Sequence, residues 1–402
     1  MSSSKEKTKN DLAWEEIFKQ YQILDKISKY RFYEIESSLI NNFRESRLMA
    51  KFDHYVNLPE IFREHNLSIL PISRSRYVIG NFNTHFKVKY NEDIEITPVE
   101  FQLNIETLDY NNLYSETSML HCAFITKMID HLVEEQTFQT VSGRMSTDSF
   151  SFNIRSSIDL QPYQIEVQNS QCEIDAGFES DNYFILIEAK KGKVEDFLIR
   201  QLYYPYRLWQ SKTSKKVLPI LMTYSYDIFS FFIYDFNDES EYNSIELVKQ
   251  IDFQISPEEI NREDVSNVLS QINPTRESQD IPFPQANDFG KVIDLLDLLV
   301  EKDLTKEDIA ENYQFNLRQS DYYANAGAYI GLIQKYKNHI ENKTFFNLTS
   351  EAKSLLRRRH KAKYLGLIAK ILEDQIFYQA FKLTNEKGEV PSANSRMKCN
   401  GV

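Results

Sequence analysis

An α/β fold built on a mixed central sheet is what this chain predicts, with an N-terminal α+β region before it and a helical domain after it. Three observations lead there. Between residues 111 and 255 a helix-period stretch precedes three strand-like runs, a second helical stretch and two more apolar runs, an order that belongs to a mixed sheet with helices on its faces. Residues 256–287 are polar and contain Pro257, Pro274, Pro282 and Pro284, which reads as a linker. From Asp288 the apolar spacing becomes helical up to about residue 387.

Taken in order, residues 1–12 are polar and read as a disordered tail. Residues 13–110 hold helical stretches and then SILPISRSRYVIG, whose apolar residues indicate strands. Within this region FRESRLMAKFDH spaces Arg44, Arg47 and Lys51 as along one helix face, an arrangement that an ordinary exposed face also produces. Tyr114–Glu135 reads as one helix, since Met119, Phe124, Met128 and Leu132 recur at helical intervals. Glu116 lies in its first turn, where a carboxylate suits the helix dipole.

The most informative stretch is CEIDAGFESDNYFILIEAKK, from Cys172 to Lys191. Ile174 and Ala176 alternate with Glu173, Asp175 and Gly177, as in a strand with one buried face. After a polar turn, Tyr183–Ala189 is almost wholly apolar, as a buried strand should be. Folding the two runs together brings Asp175 near Glu188 and Lys190, which share a face because they are two residues apart. Two carboxylates and an ammonium at the edge of an apolar sheet are costly to bury without a purpose, and a divalent metal with an activated water fits that purpose best. Glu173 lies on the same strand face and rivals Asp175 as a ligand. Lys193–Tyr204 reads as the next helix, with Val194, Leu198 and Gln201 on one side and Pro205 expected to end or kink it. Two other Glu-x-Lys triplets, Glu341–Lys343 and Glu351–Lys353, end no buried strand opposite an Asp and read as solvated charges.

CEIDAGFE, LIEAKKG and DFLIRQLYYPYRLW, in that order, resemble the PD-(D/E)XK nuclease superfamily, and within it a family of type II restriction endonucleases. The likeness extends to ESRLMAKFDH and LRQSDYYANAGAYIGLI. It implies Mg2+, with Mn2+ as a substitute, held by Asp175 and Glu188, with Lys190 activating the attacking water, Gln201 supporting the site and Glu116 as an extra acid. It also implies cleavage of double-stranded DNA at a specific sequence, a cognate DNA methyltransferase as functional partner, and a possible homodimer. Target recognition by residues 13–110, through Arg44, Arg47 and Lys51, follows from the same likeness. Other members of that family run on past the helical domain, whereas this chain ends at SANSRMKCNGV, so a shortened last domain with a flexible tail over 388–402 is expected.

After the linker, helices are expected from Asp288, after Thr305 and over Leu317–Ile333. A hairpin around Tyr336–Ile340 and Phe345–Leu348 and then a basic helix follow. Three helices and a hairpin describe a winged helix, whose third helix enters the major groove. Arg318, Gln319, Asp321, Tyr322 and Asn325 are then the exposed candidates for base or phosphate contact.

Composition narrows the class. The net charge of −12 is not that of a generic nucleic-acid-coating protein, although local basic runs such as KTSKK and RRRHKAK remain available to meet phosphate. Three widely spaced cysteines suggest reduced thiols and a cytoplasmic setting. The start, MSSSKEKTKNDLAW, has no apolar signal core, and no segment reaches membrane-span length. Two alternatives stand beside the restriction enzyme: a repair or structure-specific nuclease of the same chemistry, and a catalytically inactive winged-helix regulator.

Overall fold

The computed structural model describes residues 7–101, 105–159, 161–255, 260–274, 283–312, 317–339, 341–358 and 360–387. The tail expected over 388–402 lies outside the described residues. The chain divides into two compact units. The first is Met1–Ile105 with Ser115–Ile255 and Ala310–Leu317, and the second is Glu106–Tyr114 with Ser256–Ile309 and Arg318–Val402. All but the last few residues of the stretch 13–110 fall in the first unit with the central sheet.

The chain enters the first unit through helices Lys9–Tyr21 (α1) and Ile23–Tyr30 (α2). Helix α1 overturns the expected tail from Lys9 onward, because Thr8 and Asp11 form a reciprocal capping box that satisfies free N–H groups. Strand Phe32–Glu36 (β1), short helices Ser37–Asn41 (α3), Ser46–Met49 (α4) and Glu60–Glu64 (α5), and strands Ser68–Pro71 (β2) and Arg76–Gly80 (β3) follow. The three strands form an antiparallel sheet in the order β1-β3-β2. Its core centres on Trp14, whose ring meets Phe18 and Phe62 edge-on at 6.0 and 4.9 Å and whose indole N–H donates to the Met49 carbonyl at 2.9 Å.

Next come strands His85–Lys87 (β4) and Thr97–Val99 (β5), then helices Glu116–Ile125 (α6) and Met128–Val133 (α7). The single helix expected over Tyr114–Glu135 is two. The Thr126 hydroxyl donates back to the Cys122 carbonyl at 2.7 Å, and Lys127 takes a left-handed φ of 58°, which no continuous helix allows. Strands Phe138–Ser146 (β6), Phe150–Ile154 (β7), Tyr163–Val167 (β8), Gln171–Glu179 (β9), Tyr183–Lys191 (β10) and Asp196–Leu198 (β11) lead to helix Arg200–Gln210 (α8). Strands Lys216–Ser225 (β12), Ile228–Phe236 (β13) and Ile245–Ile255 (β14) complete the unit.

The central sheet has seven strands in the order β5-β14-β13-β12-β10-β9-β6. It is mixed: β9 and β10 are antiparallel, whereas β10 and β12 run parallel across helix α8. The parallel pair is apolar almost throughout because both of its faces are covered. Helix α8 starts at Arg200 instead of Lys193, since Asp196–Leu198 spends its backbone pairing with β4. Val194 and Leu198 therefore share no helix face with Gln201. Pro205 sits inside α8 without ending it, because Leu202, Tyr203, Tyr204, Tyr206 and Leu208 are buried and hold the helix on the sheet.

In the second unit, helix Arg262–Gln271 (α9), capped by Asn261, occupies part of the expected linker. Helix Phe289–Leu299 (α10), strand Leu304–Thr305 (β15), helices Lys306–Asn312 (α11) and Leu317–Tyr329 (α12), and strands Ile333–Asn338 (β16) and Lys343–Leu348 (β17) follow in the chain. The hairpin is present and joins β15 in a three-stranded sheet of order β15-β17-β16. Helices Ser350–Leu356 (α13), His360–Leu372 (α14) and Gln375–Lys387 (α15) come last. No described helix is long and apolar enough to cross a membrane.

Candidate active site

Strands β9 and β10 pair regularly from Phe184 opposite Glu179 to Ile187 opposite Ala176, and there the ladder stops. At the next position Asp175 Oδ2 accepts the Ala189 N–H at 2.8 Å, so a side chain replaces a backbone partner. On its other edge β9 advances three residues, Gly177 to Ile174, while β6 advances two, Val141 to Gly143. Such a bulge bends a strand and re-aims a side chain, here that of Asp175. Gly177 packs against β6 so closely that an added Cβ would lie 3.0 Å from Val141 Cβ.

Glu188 and Lys190 project together from the end of β10, with exposures of only 7% and 9%. The Lys190 ammonium donates to Glu188 Oε1 at 2.7 Å, and the Gln201 amide donates to the same oxygen from the first turn of α8. Gly192, at φ +85°, turns the chain away from the sheet immediately afterwards, a conformation that suits a residue without Cβ. The structure thus brings together Asp175, Glu188, Lys190 and Gln201. Glu116, the first residue of α6, joins them electrostatically, although its side chain keeps contact with solvent. The rival Glu173 is exposed and paired with Arg144 at 3.5 Å.

One further acid was not expected. Asp53, in the turn before the short helical segment Tyr55–Asn57, places Oδ2 3.6 Å from Lys190 Nζ and 3.7 Å from Lys51 Nζ. The one signal in the sequence is that FDH closes the stretch ESRLMAKFDH; nothing local to Asp53 announces a partner on β10. Lys51 is thereby placed at the rim of this cluster and not beside Arg44 and Arg47. The three share no helix face: Arg44 lies between α3 and α4 and donates to Asn10, Arg47 is exposed on α4, and Lys51 lies beyond that helix.

Charge is unbalanced here. Burial pushes the Glu188 carboxyl up to about 8, with Lys190 opposing and Asp175 reinforcing the shift. Burial also raises Asp175 and Glu116, again against Lys190. For Asp53 burial acts in the same direction, but Lys190, Lys51, His54 and Arg200 outweigh it and hold the group at about 2. Burial would lower the Lys190 pKa, yet Glu188, Asp53, Glu116 and Asp175 together raise it well above the ordinary lysine value.

Among the described residues, no three His, Cys, Asp or Glu side chains are spaced to hold a metal ion. Magnesium keeps several waters and asks only one or two carboxylates of a protein. Asp175 and Glu188 fit that demand: each commits one oxygen to a described donor, and they stand where four acids face the buried Lys190 ammonium.

The expected contact residues of α12 are less open than their spacing implied. Gln319, Asp321, Tyr322 and Asn325 are half-buried, Asp321 pairs with Lys306 at 2.7 Å, and Asn325 Oδ1 accepts from Lys335 at 2.6 Å. Their spacing is right for a helix, but the neighbouring strand and helix cover them. The Arg318 side chain lies outside the described residues. Exposure falls instead on β16, at Gln334, Lys335, Tyr336 and Lys337. The run Lys212–Lys216 is neutralised, with Lys212 on Asp148, Lys215 on Glu179 and Lys216 on Asp235. Cys122 and Cys172 are buried free thiols, and Cys399 lies outside the described residues.

Three family models match successive parts of the chain: Domain of unknown function (DUF6996) over residues 11–79, (DUF6997) over 80–254 and (DUF7226) over 291–399. Glu116, Asp175, Glu188, Lys190 and Gln201 fall within the second, and Asp53 within the first. No curated protein and no solved structure matches the chain.

Proposed function

We propose that the first unit is a metal-dependent endonuclease of the PD-(D/E)XK kind and that the protein is a type II restriction endonuclease acting on duplex DNA. The observation that carries this reading is the meeting of Asp175 with Glu188 and Lys190 where β9 and β10 separate, with Gln201 hydrogen-bonded to Glu188. Asp175 and Glu188 would hold Mg2+, or Mn2+ in its place, which when bound polarises the scissile phosphate and acidifies a water. The chain's own groups do the rest. Lys190 presents fixed positive charge to the phosphate oxygens where charge develops, in a site from which water is largely excluded. Gln201 holds the Glu188 carboxylate in one orientation, leaving its other oxygen for the ligand. Glu116 adds a solvent-reachable acid at the mouth.

For the second unit the matching proposal is a winged helix that engages DNA. Its support is the chain order α10, β15, α11, α12, β16, β17, with the two-stranded wing exposing lysines. A cognate methyltransferase, a homodimeric form and a cytoplasmic location belong to the same reading.

The test is digestion of plasmid and phage DNA with and without Mg2+, followed by sequencing of the ends. Discrete fragments with constant ends are expected, abolished by chelator and restored by Mg2+ or Mn2+, with Ca2+ supporting binding but little turnover. Full activity in excess chelator, or cutting only at branched or damaged sites, sinks the assignment.

A further inference from the structure

Asp53 comes from the N-terminal part of the first unit and reaches a site otherwise made by β9, β10, α6 and α8. Its position is set by bonds that leave its carboxylate out. The Asp53 carbonyl accepts the Leu198 N–H at 2.9 Å, the Tyr55 N–H donates to Asp196 Oδ1 at 3.0 Å, and His54 Nδ1 lies 2.7 Å from the Asp196 carbonyl. With the main chain fixed on β11 in this way, Oδ2 faces Lys190 at 3.6 Å, while Oδ1 is buried without a hydrogen-bond partner among the described residues. Lys190 is a flexible stem with three donor hydrogens, and Glu188 alone fixes one of them.

We infer that Asp53 is a positioning residue that holds the Lys190 ammonium together with Glu188, so that the N-terminal segment completes the active site. This rests on the nuclease reading, because Lys190 is the group whose placement matters there. Asp53→Asn keeps the shape and removes the charge, and Asp53→Glu restores the charge.

In Mg2+-dependent plasmid cleavage, Asp53→Asn should lower kcat by roughly 10–100-fold, the usual cost of removing a supporting partner at a metal site. KM for DNA should stay within about twofold, as for a group that acts after binding. Asp53→Glu should recover part of the rate, with melting curves establishing that each is folded. Unchanged kcat in Asp53→Asn overturns the inference. A second readout needs no cleavage: the rate at which acetic anhydride labels Lys190, followed by peptide mass spectrometry, should change several-fold in Asp53→Asn. If the wild type cuts no DNA the nuclease reading fails, and the labelling result alone decides whether Asp53 holds the lysine. Should Asp53→Asn not fold, Asp53→Ser takes its place in both assays.

Discussion

Lys190 sits among four carboxylates and is the buried cation they share, so removing it should do more than remove a charge. Lys190→Ala should abolish cleavage while DNA still binds, because a fixed ammonium at the phosphate acts mainly in the transition state. Cleavage assays beside gel-shift titrations check this, and normal cutting by the folded variant would remove Lys190 from the site. Asp53 supplies a prediction in pH. Its folded pKa, about 2, lies below the ordinary 3.8, so its ionised form is favoured by folding. That stability is complete above the unfolded value and is lost as pH falls through the folded one, and it amounts to about 2 kcal/mol at neutral pH. In denaturant titrations stepped downward in pH, the wild type should therefore lose more stability than Asp53→Asn below about pH 4. Parallel slopes would show that Asp53 is not paired in solution. At this scale the sequence revealed what is local. Asp175, Glu188, Lys190 and Gln201 lie within one strand–strand–helix passage, whereas the approach of Asp53 to Lys190 depends on tertiary packing that no short-range pattern encodes.

Elements were legible where burial dictates them and misread where the backbone has a second option. Strands β10 and β12 are apolar runs that could hardly be anything else, and they are parallel neighbours within the mixed sheet. Residues 193–199 also have apolar spacing compatible with a helix, but β4 offers their backbone a pairing partner, and that tertiary choice is invisible in sequence. The same holds at Thr126–Lys127, where a hydroxyl competes for a helix carbonyl. Helix α8 shows what packing contributes once an element forms. Tyr204 is fully buried, and its hydroxyl donates to the Pro71 carbonyl at 2.9 Å, tying α8 to the N-terminal sheet. Tyr204→Phe should cost about 1 kcal/mol, the net value of one buried hydrogen bond. Tyr204→Ala should cost about 3–5 kcal/mol through the cavity it leaves. Chemical denaturation reads both, and near-equal losses would mean that the ring contributes little packing.

At the scale of the molecule, the N-terminal segment is tied to the central part of the first unit, because residues 53–55 are bonded to β11 and Tyr204 to Pro71. Prolines and polarity after residue 255 led to the expectation of a linker, and α9 occupies part of that stretch. The second unit then poses its own question, since a chain of net charge −12 must concentrate positive charge wherever it meets DNA. Helix α12 is poorly suited to that task as it stands, with Asp321 and Asn325 already engaged by lysines. The β16–β17 hairpin is better placed: Lys337 and Lys343 are exposed on its strands, close to the turn between them. Lys337 lies opposite Thr344, so the two lysines sit at successive ladder positions on partner strands. If they meet phosphates, Lys337→Ala with Lys343→Ala should weaken binding to cognate and random duplexes alike. The slope of log K against log salt should become shallower by about 0.9 for each phosphate that a lysine no longer neutralises. A base-reading residue would behave differently, costing roughly 1–3 kcal/mol on the cognate site alone. Fluorescence anisotropy over a salt series with both duplexes separates the two patterns, and an unchanged slope would make the second unit a protein-binding module.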